Sequence, residues 1–149
     1  MIQRILTVCT GNICRSPLAE VWLQAQLPDL QVTSAGVGAL VGHGAAPNAQ
    51  DVAADAGLDL SAHQARQVNV ALVGAADLIL VMDDTHVAWL KRHHPTLTGR
   101  IFLLGQWRNR AEVADPFQQP RDAFDEAFAR IRDYGQDWVD RVRSLNGGR

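Results

Sequence analysis

The chain has 149 residues, 47% of them apolar, and a formal net charge of −2. That length suits a single domain over residues 1–149 with a core that needs no disulfide or metal staple, and the near-neutral charge excludes the electrostatic footprint of a nucleic-acid binder. The start, MIQRILTVC, lacks a signal peptide's apolar core and cleavage site, and Asp77 interrupts the longest apolar run, so no membrane insertion and a cytoplasmic protein are expected.

Ile5, Leu6 and Val8 read as a buried first strand, and a helical pattern begins at Pro17. The stretch VCTGNICRSP, Val8 to Pro17, is therefore a turn from strand into helix. Amides at a helix N-terminus have no intrahelical acceptor and carry the positive end of the dipole, so this turn offers donors to an anion. Gly11 and Asn12 tolerate positive φ, which lets the loop from Thr10 through Ile13, Cys14 and Arg15 to Ser16 wrap one point with its backbone N–H groups. Ser16 is expected to cap the helix and Pro17 to occupy its first position.

Cys9 ends the strand with its sulfur toward this loop. Thiols at helix N-termini beside arginine ionise far below the ordinary value of ~8.5, so Cys9 is expected to stand as a thiolate. Arg15 offers a planar fork that holds two phosphate oxygens at once, which lysine cannot do. Taken singly, a cysteine is usually a small buried hydrophobe and an arginine a solvated residue. Here nucleophile, amide ring and clamp coincide within one turn of chain.

Leu18, Val21, Trp22 and Ala25 place an apolar stripe on the first helix, which ends near Pro28, with Trp22 read as core. Leu30 to Ala35 reads as a second strand, followed by a mobile loop through Gly36, Gly38, Gly42 and Gly44 that carries Leu40 and Val41. Pro47 opens a helix with Ala49, Val52, Ala53 and Ala56 on one face, stopped by Gly57. Asn69 is a candidate cap for a short helix, and Leu78 to Met82 is a strand buried on both faces. Asp84 to His94 is helical up to Pro95, and Arg100 to Leu104 makes the fourth strand. Gly105 to Pro120 is a connection long enough to suggest a functional loop. Phe124, Phe128, Ile131, Gly135, Trp138, Val142 and Leu145 then form one stripe of a long last helix. A coiled coil would share that spacing, but the glycine in the seam and the short run disfavour it.

Alternating strands and helices imply an α/β fold of three layers, a parallel four-stranded sheet with helices on both faces. Ligands in such folds bind at the carboxyl ends of the strands. Cys9, Asp83 and the loop bearing Asp115 all belong to that edge. Cys9 could attack phosphorus in line, and Asp115, held out of a helix by Pro116, could protonate the leaving group. An Asp-Pro pair alone is often only a turn. The histidines show no metal-ligand spacing, so no metal and no cofactor are expected.

The C-x5-R-S motif CTGNICRS, with Asp115-Pro116 far downstream, resembles the low-molecular-weight protein tyrosine phosphatases. SAGVGALVG from Ser34, SAHQARQV from Ser61 and DLILVMD from Asp77 extend the resemblance over nearly the whole chain, most closely to the bacterial branch paired with tyrosine autokinases of exopolysaccharide export. The resemblance implies hydrolysis of phosphotyrosine on proteins through a phosphocysteine at Cys9. Arg15 and the amides would hold the phosphoryl group, Asp115 would act as acid and then base, and inorganic phosphate would be product and inhibitor.

It also implies that Ser16 donates to the Cys9 thiolate, that Ser34 and His63 hydrogen-bond to Asn12, and that Asp83 orients the loop, although a plain turn aspartate is an equal reading. Cys14 is placed to form a disulfide with Cys9 under oxidant. Leu40 and Phe117 are the expected substrate walls, with Phe117 departing from the family's Asp-Pro-Tyr by losing the hydroxyl.

Three other readings share the loop. Arsenate reductases need a further cysteine pair, which is absent. Protein arginine phosphatases resemble this loop but carry threonine where Ile13 stands here, and a non-catalytic phosphoprotein-binding module would need neither Cys9 nor Asp115.

Overall fold

The computed structural model describes residues 1–147. In chain order the elements are β1 (Arg4–Cys9), α1 (Arg15–Gln26), β2 (Gln31–Gly36), α2 (Pro47–Asp55), α3 (Val70–Ala75), β3 (Leu78–Val81), α4 (Asp84–His93), a 3₁₀ turn (Pro95–Arg100), β4 (Ile101–Leu103) and α5 (Arg121–Leu145). The strands form one sheet in the order β2-β1-β3-β4, and each pairing is parallel. The expected three-layer α/β architecture is therefore present.

Alternation along the strands divides the core in two. Ile5 on β1 and Leu78 and Leu80 on β3 point to the face covered by Leu18 and Trp22 of α1, Val52 of α2 and Phe128, Ile131 and Trp138 of α5. Leu6, Val8, Ile79 and Val81 point to the other, with Val73 of α3 and Val87 and Leu90 of α4. Both faces of β1 and β3 are apolar because helices cover both.

Local signals explain most element ends. The Asn69 side chain accepts the Leu72 N–H and caps α3. Asp83 caps α4 by accepting the Thr85 N–H at 3.0 Å, while the Asp83 N–H donates to His86, so the cap is reciprocal. Gly57, at φ 76°, stops α2 in the left-handed region that glycine enters without strain.

Some expectations need correction. The first helix begins at Arg15, not Pro17, and Ser16 does not cap it; the Ser16 hydroxyl is turned inward, within 2.9 Å of Cys9 Sγ and 2.8 Å of Asn12 Nδ2. The segment from Gly36 to Gly44 is not a free loop. Val37, Gly38 and Leu40 donate backbone hydrogen bonds to Cys9, Thr10 and Gly11, and Gly42 and His43 pair with Ala65. Leu145, the last residue of α5, leaves the stripe and is 69% exposed. Ala25 and Ala56 are exposed as well, lying at the C-terminal ends of α1 and α2, so neither belongs to the buried stripe expected of its helix.

The stripe of α5 packs chiefly across α1. A Cβ at Gly135 would come within 2.7 Å of the Trp22 ring, so only glycine lets the two helices approach this closely. Among the described residues no helix is long and apolar enough to cross a membrane.

Candidate active site

Cys9 ends β1, and the chain turns through residues 10–14 before α1 begins at Arg15. The turn depends on Asn12, whose φ of 58° is unusual for a residue with a side chain. The surroundings over-determine that conformation. Asn12 is fully buried; its Nδ2 donates to Ser16 Oγ at 2.8 Å and Ser34 Oγ at 2.9 Å, and its Oδ1 accepts the Arg66 N–H at 2.9 Å. His63 Nε2 donates to the Asn12 carbonyl at 2.7 Å. A strained residue persists only where neighbours hold it on several sides, as here.

Gly36 completes the enclosure, not as the start of a mobile loop but as the last residue of β2. It pairs with Cys9 in the β1–β2 register. A Cβ there would sit on the Thr10 carbonyl oxygen and 3.0 Å from the Asn12 N. The backbone of β2 must approach the loop this closely to fasten it, and only a residue without a side chain permits it.

The thiol lies at the base of a pocket of about 180 Å³, lined by Ile13, Gly38, Leu40 and Phe117 on its sides with Asp115 at the rim. Cys9 Sγ is 2.9 Å from Ser16 Oγ. Because Ser16 Oγ already accepts from Asn12 Nδ2, the Ser16 proton is available to the sulfur. The second cysteine, Cys14, is also a free thiol. Burial pushes its pKa up to about 12, and negative charge on Cys9 and Asp115 adds to the effect against the pull of Arg15.

Arg15 is 2% exposed, and one side of its fork is already held. Nη1 donates to Asp83 Oδ2 at 2.9 Å and to the Val113 carbonyl at 2.8 Å. The Asp83 carboxyl lies below the ordinary carboxylate range: burial opposes that shift, but Thr85 and Arg15 hydrogen bonds outweigh it. Nη2 is 3.7 Å from Asp115 Oδ2, and Nε is buried with no partner among the described residues. A buried N–H left without an acceptor is costly. The free edge of the fork, Nε with Nη2, is the edge that grips two oxygens of one tetrahedral anion.

Asp115 itself is half-exposed, and its Oδ1 accepts the Phe117 N–H at 3.1 Å, which folds Asp115, Pro116 and Phe117 into a tight turn over the mouth. Leu40 and Phe117, 40% and 44% exposed, leave apolar surface at that mouth for a ligand to cover. No group of three His, Cys, Asp or Glu side chains able to hold a metal ion occurs among the described residues.

The sheet brings Cys9, Arg15, Asp83 and Asp115 to one edge, and the residues expected to support the loop, Ser16, Ser34 and His63, surround Asn12 at hydrogen-bond distance. Besides this role of Gly36, sequence reading missed the Val113 carbonyl and His86. The first is a backbone group with no side-chain signal. The second stood among the histidines without ligand spacing, yet it is fully buried and 2.9 Å from Thr10 Oγ1.

A buried thiol at the turn from β1 into α1, with an arginine and a half-exposed carboxylate around one pocket at the edge of an α/β sheet, is an arrangement suited to cysteine-based phosphate chemistry. The family model for the low molecular weight phosphotyrosine protein phosphatases matches residues 4–146, and the chain belongs to that family. It is 46% identical over 145 residues to the "Probable low molecular weight protein-tyrosine-phosphatase EpsP" of Ralstonia nicotianae, covering 97% of this chain and 99% of that one. It is 43% identical to the low molecular weight protein-tyrosine-phosphatase Wzb of Escherichia coli K12, over 93% of this chain and 95% of that one. A solved structure of Vibrio vulnificus Wzb in complex with benzylphosphonate superposes with a TM-score of 0.91 at 38% identity, covering 95% and 99% of the two chains. The chain is accordingly an enzyme, a protein-tyrosine phosphatase.

Proposed function

We propose that residues 1–149 act as one phosphatase domain in which Cys9 is the nucleophile, Arg15 and the amides of residues 10–16 are the phosphate cradle, and Asp115 is the general acid and base. The observation that carries this reading is the orphaned Arg15 Nε, buried beside the thiol with its neighbour Nη2 turned toward Asp115.

The Cys9 sulfur forms an S–P bond as the P–O bond to the tyrosyl oxygen breaks, and the Asp115 proton passes to that oxygen. A phenolate whose conjugate acid has a pKa of ~10 is a poor leaving group without that proton. Water then attacks phosphorus, its proton returns to Asp115, and the S–P bond breaks to release inorganic phosphate and the thiolate. Ser16 steadies the thiolate. Ser34 and His63 hold Asn12 and so the loop, and Asp83 fixes Arg15.

Leu40 and Phe117 form the substrate walls, and the depth of Cys9 beneath them favours a flat aryl ester over a short alkyl one. The physiological substrate on this reading is a phosphotyrosine protein, a bacterial tyrosine autokinase of exopolysaccharide production, in the cytoplasm. The kinship with EpsP and Wzb supports that branch. Inorganic phosphate is product and competitive inhibitor.

The test is turnover of para-nitrophenyl phosphate and of matched phosphotyrosine and phosphoarginine peptides by the intact protein. The reading requires phosphotyrosine to be the better peptide and Cys9→Ser to abolish turnover. Unchanged turnover in Cys9→Ser, or a preference for phosphoarginine, would refute it.

A further inference from the structure

His86 has no part in the steps above, yet it lies fully buried between the turn carrying Asp83 and the loop carrying Cys9. Its Nδ1 accepts the Asp83 backbone N–H at 3.2 Å, a shorter contact than the 3.4 Å to Asp83 Oδ1, and this acceptance closes the capping box of α4. A backbone amide can only donate, so Nδ1 carries no proton, and the single proton of the neutral ring sits on Nε2. Burial supports the neutral form, taking the His86 pKa down to about 4.

Nε2 is 2.9 Å from Thr10 Oγ1. The direction of that bond follows: His86 donates and Thr10 accepts. The Thr10 hydroxyl proton then has no acceptor among the described residues, while Thr10 itself lines the pocket above Cys9.

We propose that His86 is a positioning residue for phosphoryl binding: by donating to Thr10 Oγ1 it turns the Thr10 hydroxyl proton toward the pocket, where it bonds an oxygen of the bound phosphoryl group. The inference rests on the reading of that pocket as the phosphate cradle. It adds a side-chain donor to the ring of amides and links the cradle to the cap of α4. A β-branched residue suits the task, since its hydroxyl has few rotamers to lose.

The test is inhibition by inorganic phosphate, measured beside turnover of para-nitrophenyl phosphate, in Thr10→Val, Thr10→Ser and His86→Asn. Thr10→Val is expected to weaken phosphate inhibition roughly ten- to a hundredfold, the range for a hydrogen bond to a charged group. Thr10→Ser should restore it. His86→Asn should lose part of it, and the double variant with Thr10→Val should be no worse than Thr10→Val alone, because both changes remove the same bond.

Valine leaves the His86 N–H buried without an acceptor, so Thr10→Ala, which admits a water there, is measured as well and should show the same loss in a folded protein. Wild-type phosphate affinity in Thr10→Val or Thr10→Ala overturns the proposal, as does Thr10→Ser failing as badly as valine or a fully additive double variant. If the unaltered protein turns over substrate but the hydroxyl makes no difference, His86 is only a fastening between two loops. If the unaltered protein is itself insensitive to phosphate, the cradle reading fails with it.

Discussion

Arg15 is anchored by one side of its guanidinium and, on the proposed reading, binds with the other. Its Nη1 is held by Asp83 and the Val113 carbonyl, while Nε and Nη2 face the pocket. Lysine keeps the charge but cannot do both. Losing two charge-assisted hydrogen bonds of ~1.5–3 kcal/mol each predicts that Arg15→Lys lowers kcat/KM by roughly 10²–10⁴, measured with para-nitrophenyl phosphate.

On the proposed mechanism Asp115→Asn removes the proton for the leaving group, and it is expected to cost about 10²–10⁴ in kcat on a phosphotyrosine peptide. The loss should be smaller on para-nitrophenyl phosphate, whose leaving group needs less help. Equal losses on the two substrates would point to a binding role instead. At this scale the loop was legible as a place where Cys9 and Arg15 meet, because both lie within one turn of chain between β1 and α1. Gly36, Val113 and His86 were not, because they reach the loop only through strand register and the ends of other strands.

The helices and strands were legible wherever hydrophobic period alone decides: β3 as an apolar run, α4 up to Pro95, and α5 from its stripe. The start of α1 was misread because the site overrides the usual cap. Its N-cap is Cys14, which makes no side-chain capping bond, and the nearby hydroxyl of Ser16 serves the thiol and Asn12 instead. The glycine-rich segment after β2 was misread for a similar reason, since its fastening to the loop and to Ala65 is made by backbone groups.

The α1–α5 contact gives this scale its prediction. Alanine for glycine inside a helix normally gains about 0.5–1 kcal/mol, but overpacking a filled core costs about 1–3 kcal/mol. The Cβ of Gly135→Ala would lie 2.7 Å from the buried Trp22 ring, so packing should win. Urea unfolding is expected to report a net loss of roughly 1 kcal/mol, and a gain would show that the two helices can separate at little cost.

The molecule as a whole carries a pH dependence set by His86. Its folded pKa is depressed from 6.5 to about 4, chiefly by burial, with Arg15 acting in the same direction and Asp83 and Asp115 opposing. Below 6.5 the unfolded chain takes up a proton that the folded one refuses until near pH 4. Stability is therefore full above pH 6.5 and declines as pH falls toward 4, by about 3 kcal/mol at ~1.4 kcal/mol per unit. Asp83, depressed below its ordinary value, extends the decline to lower pH. Urea midpoints across this window, with His86→Asn as comparison, measure the slope. The variant should be less stable at neutral pH but flatter toward acid, and an unchanged slope would assign the decline to carboxylates alone.

The two moorings of Arg15 belong to the far half of the sheet. Asp83 follows β3, and Val113 is itself tied to Met82 by a backbone bond of 2.9 Å. If Arg15 clamps the phosphoryl group as proposed, catalysis serves as a gauge of how firmly that half is seated, since a small drift there would swing the guanidinium before any helix melts. On slow warming, turnover should fade at a lower temperature than the far-ultraviolet ellipticity does; coincident curves would mean the anchorage gives way only with the fold.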